Sequence, residues 1–273
     1  PTGLKVAAPR IGGIEAAEAY SGGTSGATAL ASRTSHRIHD ALEAAYPGFA
    51  DLPHIQRAVL LKALLVHPAR WPDDIAARIK ATIGPVGGHR SHIKDNIRRF
   101  LGFGYVDAED AIACAEDRAT FWAVGQLLPE RVSTVRIPVP AVMSGQARPH
   151  SLSATLAWFT PVAPGRKSYR SVRLRLLDPA ETDALSISPR SLQPDSNQTN
   201  RGTLFMRCWE GDKAPIVGPD MTIDLIVQRD PDPGTPIDEP VPFGLAVTLS
   251  MPGVLDLYTQ VAQRLGIAPR QQI

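Results

Sequence analysis

The sequence predicts a mainly helical first part, up to about residue 118, followed by an all-β sandwich. Apolar residues recur at helical spacing in the first part, whereas short β-branched runs separated by Pro and Gly follow from about Ala119. The length of 273 residues suits one or two compact units. We therefore predict two domains, residues 1–118 and residues 119–273.

Five helices are predicted in the first part. The first has the clearest helical periodicity, and Gly, Ala and Thr crowd its opening turns. Because such small residues let other backbone approach closely, we expect this helix to be buried inside a larger domain. The third has Pro at its first position and two acidic residues at the positive end of its dipole. The predicted ranges are Gly26–Ala44, Pro53–Val66, a helix that starts at Pro72, the basic stretch His89–Arg99 and a helix from Asp107 to about Arg118.

The basic stretch has two interpretations. A helix would place Ile93 and Ile97 on one side and the basic side chains on solvated faces, whereas the alternative is a patch that binds nucleic acid. The net charge of +2 is too small for a general nucleic-acid footprint. We therefore predict a solvated helix and no nucleic-acid partner.

The second part contains six predicted strands and a closing helix. The predicted strands are Val132–Val139, Ser153–Phe159, Val172–Leu177, Gly202–Glu210, Met221–Gln228 and Phe243–Ser250. Their regular spacing predicts an antiparallel sandwich. Two stretches rich in Pro, Ser and Asp, Ser186–Gln198 and Asp230–Pro242, are predicted to be mobile loops. The closing helix is predicted over Leu255–Leu265, with Gly266 as its stop signal.

Composition bears on the class and the location of the protein. No apolar run reaches the roughly 18 residues that a bilayer span requires, so we predict no membrane partner. Cys114 and Cys208 lack metal-ligand spacing and are predicted to be buried thiols, with one disulfide between them as the alternative. No secretory signal opens the chain, which begins with Pro1 rather than Met. We predict a cytoplasmic protein whose natural N-terminus has been removed, with secretion as the alternative.

Ser25 is the strongest candidate for a catalytic residue. It follows two glycines and begins a helix, where free N–H groups and the helix dipole favour the negative charge of an oxyanion. A serine nucleophile also requires a base, an orienting acid and oxyanion donors. The alternative is structural, because serine is among the favoured N-caps and this stretch suits an ordinary junction between a loop and a helix.

The surrounding chain favours the catalytic interpretation. Gly23-Thr24-Ser25-Gly26-Ala27-Thr28 resembles the Gly-Thr-Ser-x-Ala-[Ser/Thr] nucleophile motif of the subtilisin-like serine proteases. Lys5-Val6-Ala7-Ala8-Pro9 is similar to the strand and the Ala-Pro turn that precede that motif. Downstream, Arg57–Ala63 resembles the family's next core helix, and Gly102–Ala108 resembles the Gly-Tyr-Gly-x-Val-[Asp/Asn]-Ala segment that closes the catalytic domain. The resemblance covers roughly residues 1–118 and implies the C-terminal, mainly helical part of an α/β protease domain.

The resemblance has a weaker extension and two departures. Ala157-Trp158-Phe159 and Trp209-Glu210-Gly211-Asp212 are similar to pieces of the β-rich extension of a group of bacterial subtilases. Ala29 stands where the family motif usually has Pro, and Arg10 follows Ala8-Pro9 where Gly is usual. Because alanine is a better helix former than proline, we expect the first departure to leave the helix undisturbed.

The resemblance implies a serine endopeptidase in which Ser25 attacks the peptide carbonyl of a polypeptide substrate. The backbone N–H of Ser25 would help to hold the oxyanion, with Thr24 as a second candidate donor, and neither a cofactor nor a metal is implied. In the family an Asp, a His and an Asn donor precede the serine, yet residues 1–24 contain none of these types. We expect these groups to come from upstream sequence, so the isolated chain should be inactive. The histidines downstream are expected to be surface or satisfied core residues: His36, His39, His54, His67, His89, His92 and His150.

Two kinds of partner follow from the resemblance, and one competing hypothesis stands beside it. The family builds its parallel sheet and its cleft mostly from the missing half, so we expect an exposed apolar face that binds the N-terminal half or another copy. Some similar proteases are encoded beside an AAA-type ATPase, which implies such a partner. In the competing hypothesis the sandwich is a protein- or ligand-binding module lined by aromatic side chains, although strand aromatics more often belong to the core. Those aromatics are Trp158, Phe159, Tyr169 and Trp209.

Overall fold

The structure, a computed structural model, combines helices with antiparallel sheets. It describes residues 3–9, 16–83, 90–112, 116–143, 150–164, 170–177, 202–210, 222–230 and 238–259. In these ranges every paired strand runs antiparallel to its neighbour. No helix in the same ranges has both the length and the apolar content of a bilayer span.

A hairpin precedes the first helix. Strands β1 (Leu4–Pro9) and β2 (Ala16–Ser21) pair in antiparallel register, with Leu4 opposite Ser21. The sequence predicted β1 through the resemblance but gave no signal for β2, whose Ala-Ala-Glu-Ala start suits a helix better than a strand. Pairing with β1 therefore outweighs local propensity in β2.

The predicted helices are present, the first four with small shifts of their ends and the fifth much shorter than predicted. They are α1 (Thr24–Ala45), α2 (His54–Val66), α3 (Asp73–Ile83), α4 (Arg90–Leu101) and α5 (Ala108–Ile112). The predicted end of the last helix near Arg118 is wrong, because Arg118 begins a strand. The β-forming run Thr120-Phe121-Trp122 lies in that strand and supports its pairing.

The second part of the chain forms two sheets. The strands are β3 (Arg118–Leu127), β4 (Val132–Pro138), β5 (Ser151–Trp158), β6 (Leu174–Leu177), β7 (Leu204–Glu210), β8 (Thr222–Arg229) and β9 (Val241–Ser250). The larger sheet has the order β3-β9-β5-β7, and the smaller has the order β4-β8-β6. All six predicted strands are confirmed, whereas β3 was not predicted.

One buried cluster draws side chains from both sheets. Trp158, Trp209 and Phe243 of the larger sheet lie in it together with Leu174 and Leu225 of the smaller one. Trp158 is 0% exposed and its indole N–H donates to the carbonyl of Val172, which satisfies the buried donor. Both tryptophans therefore belong to the core, as the structural alternative for these aromatics predicted.

The helical part packs directly on the larger sheet. Val59, Leu60 and Ala63 of α2 share a buried cluster with Ala157 of β5 and Ala246 of β9. The approach is close at Gly244, where a Cβ atom would lie 2.8 Å from the Cα of Leu60. Lys62 Nζ also donates to the carbonyl of Trp158 at 3.1 Å and to the Thr203 hydroxyl at 2.6 Å. Apolar packing and hydrogen bonds therefore fix α2 against the sheet.

Several predicted features lie wholly or largely outside the described residues. These are Cys114, Tyr169, His89, Arg10, the loop Ser186–Gln198 and most of Asp230–Pro242. Of the closing helix, predicted over Leu255–Leu265, residues 255–259 are described: 255 and 256 form a turn and 257–259 are helical. Cys208 is described and is buried in β7, as predicted for a core thiol.

Candidate functional site

Ser25 lies in the first turn of α1, which begins at Thr24. The N-cap is Gly23, with φ 141° and ψ 167°, a conformation that side-chain-bearing residues rarely adopt. Ser25 is therefore not the N-cap, although the stretch is a junction between a loop and a helix, and the catalytic role of Ser25 stays a prediction. The prediction that Ala29 leaves the helix undisturbed is confirmed, because α1 runs without a break to Ala45.

The backbone N–H groups at this helix end are available for an anion. The first helical hydrogen bond runs from the N–H of Ala27 to the carbonyl of Gly23 at 3.3 Å. Within the described residues, the N–H groups of Thr24, Ser25 and Gly26 have no acceptor. Unpaired donors at a helix N-terminus are suited to stabilise negative charge.

The first turns of α1 are exposed in this chain, and their burial inside a larger domain stays a prediction. Ser25, Ala27 and Ala29 are exposed, and Leu30 retains 45% of its accessible surface. The hairpin approaches this end through Leu4, whose Cδ1 would lie 3.0 Å from a Cβ on Gly26. Gly26 therefore admits Leu4, while Ser25, Ala27 and Ala29 stay exposed in the described chain.

No hydrogen bond joins Ser25 to another side chain in the described ranges. The next histidine along α1 is His36, which lies roughly 16 Å further along the helix axis at 1.5 Å per residue. The structure therefore brings Ser25 together with Thr24 and Gly26 but not with a base or an orienting acid.

The segment that resembles the end of the protease domain is held against the end of α2. Arg70 and Tyr105 exchange two backbone hydrogen bonds, at 3.1 and 2.9 Å. Gly104 has φ 115°, and a Cβ there would lie 2.3 Å from the carbonyl oxygen of Arg70, so only glycine allows this approach. The indole N–H of Trp71 donates to the carbonyl of Gly102 at 3.0 Å. Gly104 therefore has a structural role, and Gly102, with φ 57°, adopts the left-handed conformation that favours glycine.

His67, the C-cap of α2, is a buried histidine with both ring nitrogens satisfied. Its Nδ1 lies 2.8 Å from the Thr155 hydroxyl and its Nε2 lies 2.7 Å from the Thr248 hydroxyl. Burial first, and then the positive charges of Arg70 and Arg118, lower the pKa of His67 from 6.5 to about 3. The prediction of a satisfied core histidine is confirmed here, and His67 is neutral at pH 7.

A cavity of about 360 Å³ adjoins His67, and sequence reasoning missed it. It lies between α1, the end of α2 and strands β3, β5 and β9, and Arg70, Asp110 and Arg118 are its charged residues. Residues from Ile38 to Tyr258 line it, so no local motif could have signalled it.

Three side chains of α1 come close enough to hold a metal ion. The ligand atoms of His39, Asp40 and Glu43 lie within 4.8 Å of one another, and Asp40 and Glu43 are exposed. The Asp40 carboxylate also lies 3.5 Å from Nε2 of His36, and the His39 ring packs edge-on against Phe49. Exposed groups of this kind are common without an ion, so we assign no metal here.

The basic face of α4 carries internal ion pairs. Asp95 lies 2.7 Å from Arg98 Nη2 and 3.2 Å from Arg99 Nη2. These pairs offset part of the positive charge of the helix, which is a solvated helix as predicted for its fold.

Comparison with known proteins adds no assignment. The chain matches no protein-family model, and a search of curated proteins finds no similar sequence.

Proposed function

We propose that the chain is part of a subtilisin-like serine endopeptidase in which Ser25 forms the acyl-enzyme. The observation that carries the proposal is the position of Ser25, exposed in the first turn of α1 beside unpaired backbone N–H groups. In this scheme the Ser25 hydroxyl attacks the scissile carbonyl, and its proton passes to a histidine base. The carbonyl oxygen then accepts hydrogen bonds from the Ser25 N–H, with the Thr24 N–H as the second donor.

The base, its orienting acid and the Asn donor are proposed to come from upstream sequence. This proposal follows from the family order of the triad and agrees with the lack of a histidine near Ser25 in the described ranges. Exposed apolar side chains of the hairpin and of α1, among them Val6, Tyr20 and Leu30, are proposed to bind the N-terminal half or a second copy.

The β-rich part is proposed to be an accessory sandwich whose layers are the two sheets. The buried cluster that both sheets share supports this arrangement. An AAA-type ATPase partner and a cytoplasmic location are proposed on the resemblance and on composition. The competing hypothesis of an aromatic binding site in the sheets loses two of its four side chains, because Trp158 and Trp209 are core residues.

Fluorophosphonate labelling followed by peptide mapping tests the proposal. We expect background labelling of residues 1–273 alone and rapid labelling at Ser25 once natural upstream sequence with an Asp and a His is joined to the chain. Ser25→Ala should abolish labelling and peptide hydrolysis in the extended protein. Ser32→Ala is the matched control, because Ser32 is an exposed serine two turns further along α1.

Two results would contradict the proposal. Rapid labelling of Ser25 in the isolated chain would show that no upstream base is needed. Undiminished peptide hydrolysis by the extended Ser25→Ala variant would show that another group is the nucleophile.

A further inference from the structure

The cavity beside His67 has two chemically different walls. Leu42, Leu64 and Trp122 contribute apolar surface, and Tyr46 packs edge-on against Trp122 with ring centroids 5.4 Å apart. A second group of lining residues carries hydroxyl groups of the larger sheet, among them Thr248. A ligand that fills the cavity would therefore need an apolar body and a polar end.

The charged groups of the cavity leave an excess of positive charge. Arg70 and Arg118 face it together with one carboxylate, Asp110, and His67 is neutral. Arg118 Nη1 lies 3.2 Å from the Asp110 carboxylate, so that pair is largely balanced. The net charge at the cavity is thus about one positive unit and lies on the side of Arg70.

Arg70 is held in place and still has donors to offer. Its Nη1 donates to the carbonyls of His67 and Ala69 at 2.8 and 2.9 Å, which fixes the guanidinium at the end of α2. Its Nε and Nη2 have no hydrogen-bond partner within the described residues, and the side chain is exposed. A fixed guanidinium with two adjacent free donors matches the two oxygens of a carboxylate.

The volume and the net charge of the cavity restrict the class of ligand further. At about 360 Å³ the cavity is near the lower end of the range for small-molecule sites, about 300–1,000 Å³. A phosphate ester would bring about two negative charges against one unpaired positive charge, whereas a carboxylate brings one. The apolar wall favours a body about the size of one large side chain.

We propose that this cavity binds a carboxylate attached to an apolar body, with the carboxylate on Arg70 and the body against Leu42, Leu64 and Trp122. The same chemistry is offered by the C-terminal residue of a peptide and by a free medium-chain acid. Ser25 takes no part in this site: the two lie at opposite ends of α1, with Ala41 of the cavity wall roughly 24 Å from Ser25 along the helix axis.

Isothermal titration calorimetry on the whole chain tests the site with three probes: a tetrapeptide that ends in Leu with a free carboxylate, the same peptide amidated, and octanoate. We expect at least one of the two acids to bind. If the peptide acid binds, the amidated peptide should bind at least about tenfold more weakly, because the amide cannot form the charge-assisted pair with Arg70. Tighter binding of the peptide acid would identify a chain terminus as the ligand, and tighter binding of octanoate would identify a free acid. Equal binding of the two peptides, or no binding of either acid at millimolar concentration, would overturn the proposal.

Two pairs of variants locate the binding. Arg70→Gln should weaken binding of the acid at least about tenfold. Arg99→Gln should not change this binding, because Arg99 is an exposed arginine away from the cavity. Ala41→Leu should block the apolar wall without removing any charge, and Ala44→Leu places the same side chain on the exposed side of α1. Unchanged binding in Ala41→Leu would show that the acid binds elsewhere, whatever the stability of the Arg70 variant.

A last variant separates this inference from the proposed function. Ser25→Ala should bind the acid as tightly as the unmodified chain, because its hydroxyl is remote from the cavity. Loss of binding in Ser25→Ala would move the ligand to the helix N-terminus and contradict the cavity assignment.

Discussion

Acidification from pH 7 to pH 5 should destabilise the chain through His67. The unfolded chain takes up a proton with the ordinary histidine pKa of 6.5, whereas the folded chain does not until the pH approaches 3. Between these values the unfolded state binds more protons, so stability is lost as pH falls from 6.5 towards 3. From pH 7 to pH 5 the His67 contribution is about 2 kcal/mol, because pH 5 lies well above the folded pKa.

Urea unfolding at the two pH values measures this contribution, with His67→Gln as the perturbation. Glutamine keeps one amide within reach of a threonine hydroxyl but cannot titrate, so the variant should lose about 2 kcal/mol less than the unmodified chain over this pH interval. His36→Gln is the control, because it makes the same substitution at a histidine whose side chain is 77% exposed. Equal losses in the unmodified chain and in His67→Gln would refute the reasoning, whatever the absolute stability of the variant.

Two further perturbations probe the junction of α2 with the larger sheet. Gly244→Ala should lower the free energy of unfolding, measured in urea, by about 1–3 kcal/mol, because the new methyl would lie 2.8 Å from the backbone of Leu60. Gly48→Ala should lower it less, because the methyl there enters open space. Equal costs would contradict the close packing. Burial lowers the pKa of Lys62 from 10.5 to about 8, so the unfolded state binds more protons between these values and stability should rise with pH there. Thermal unfolding at pH 7.5 and pH 9.5 should show this gain in the unmodified chain and not in Lys62→Met, and a similar gain in both would contradict it.

The sequence predicted the elements whose apolar pattern is local and one-sided. The helix α2 is a clear case, because Val59, Leu60, Ala63 and Leu64 form one buried face. Strand β3 shows why the pattern fails elsewhere: Phe121 and Ala123 face the cluster of the two sheets, while Trp122 and Val124 face the helices. Both faces of the strand are apolar, so the alternation that identifies a half-buried strand is lost. The strands β5 and β9 are also buried on both faces, but they were predicted because Pro and Gly bound their short runs.

The two candidate sites also differ in whether the local sequence could predict them. Ser25 could be proposed from the sequence because the residues that make it a candidate, the glycines before it and the start of a helix, lie in one short motif. The cavity was not found because its polar residues, from Arg70 to Thr248, are brought together by strand pairing over long sequence distances. Side-chain contacts of that kind leave no local periodicity.

The two ends of α1 have different surroundings, and this difference bears on how the chain works. The second half of the helix supplies buried Ile38 and Leu42 to a core shared with the larger sheet, whereas the first turns carry Ser25 and Leu30 on an open surface. A helix anchored at one end keeps its other end in a fixed position, which a nucleophile requires if it is to meet the groups proposed to come from upstream sequence. The packing of α1 on the sheet therefore gives the β-rich part a direct role in the proposed enzyme: it fixes the helix that presents Ser25.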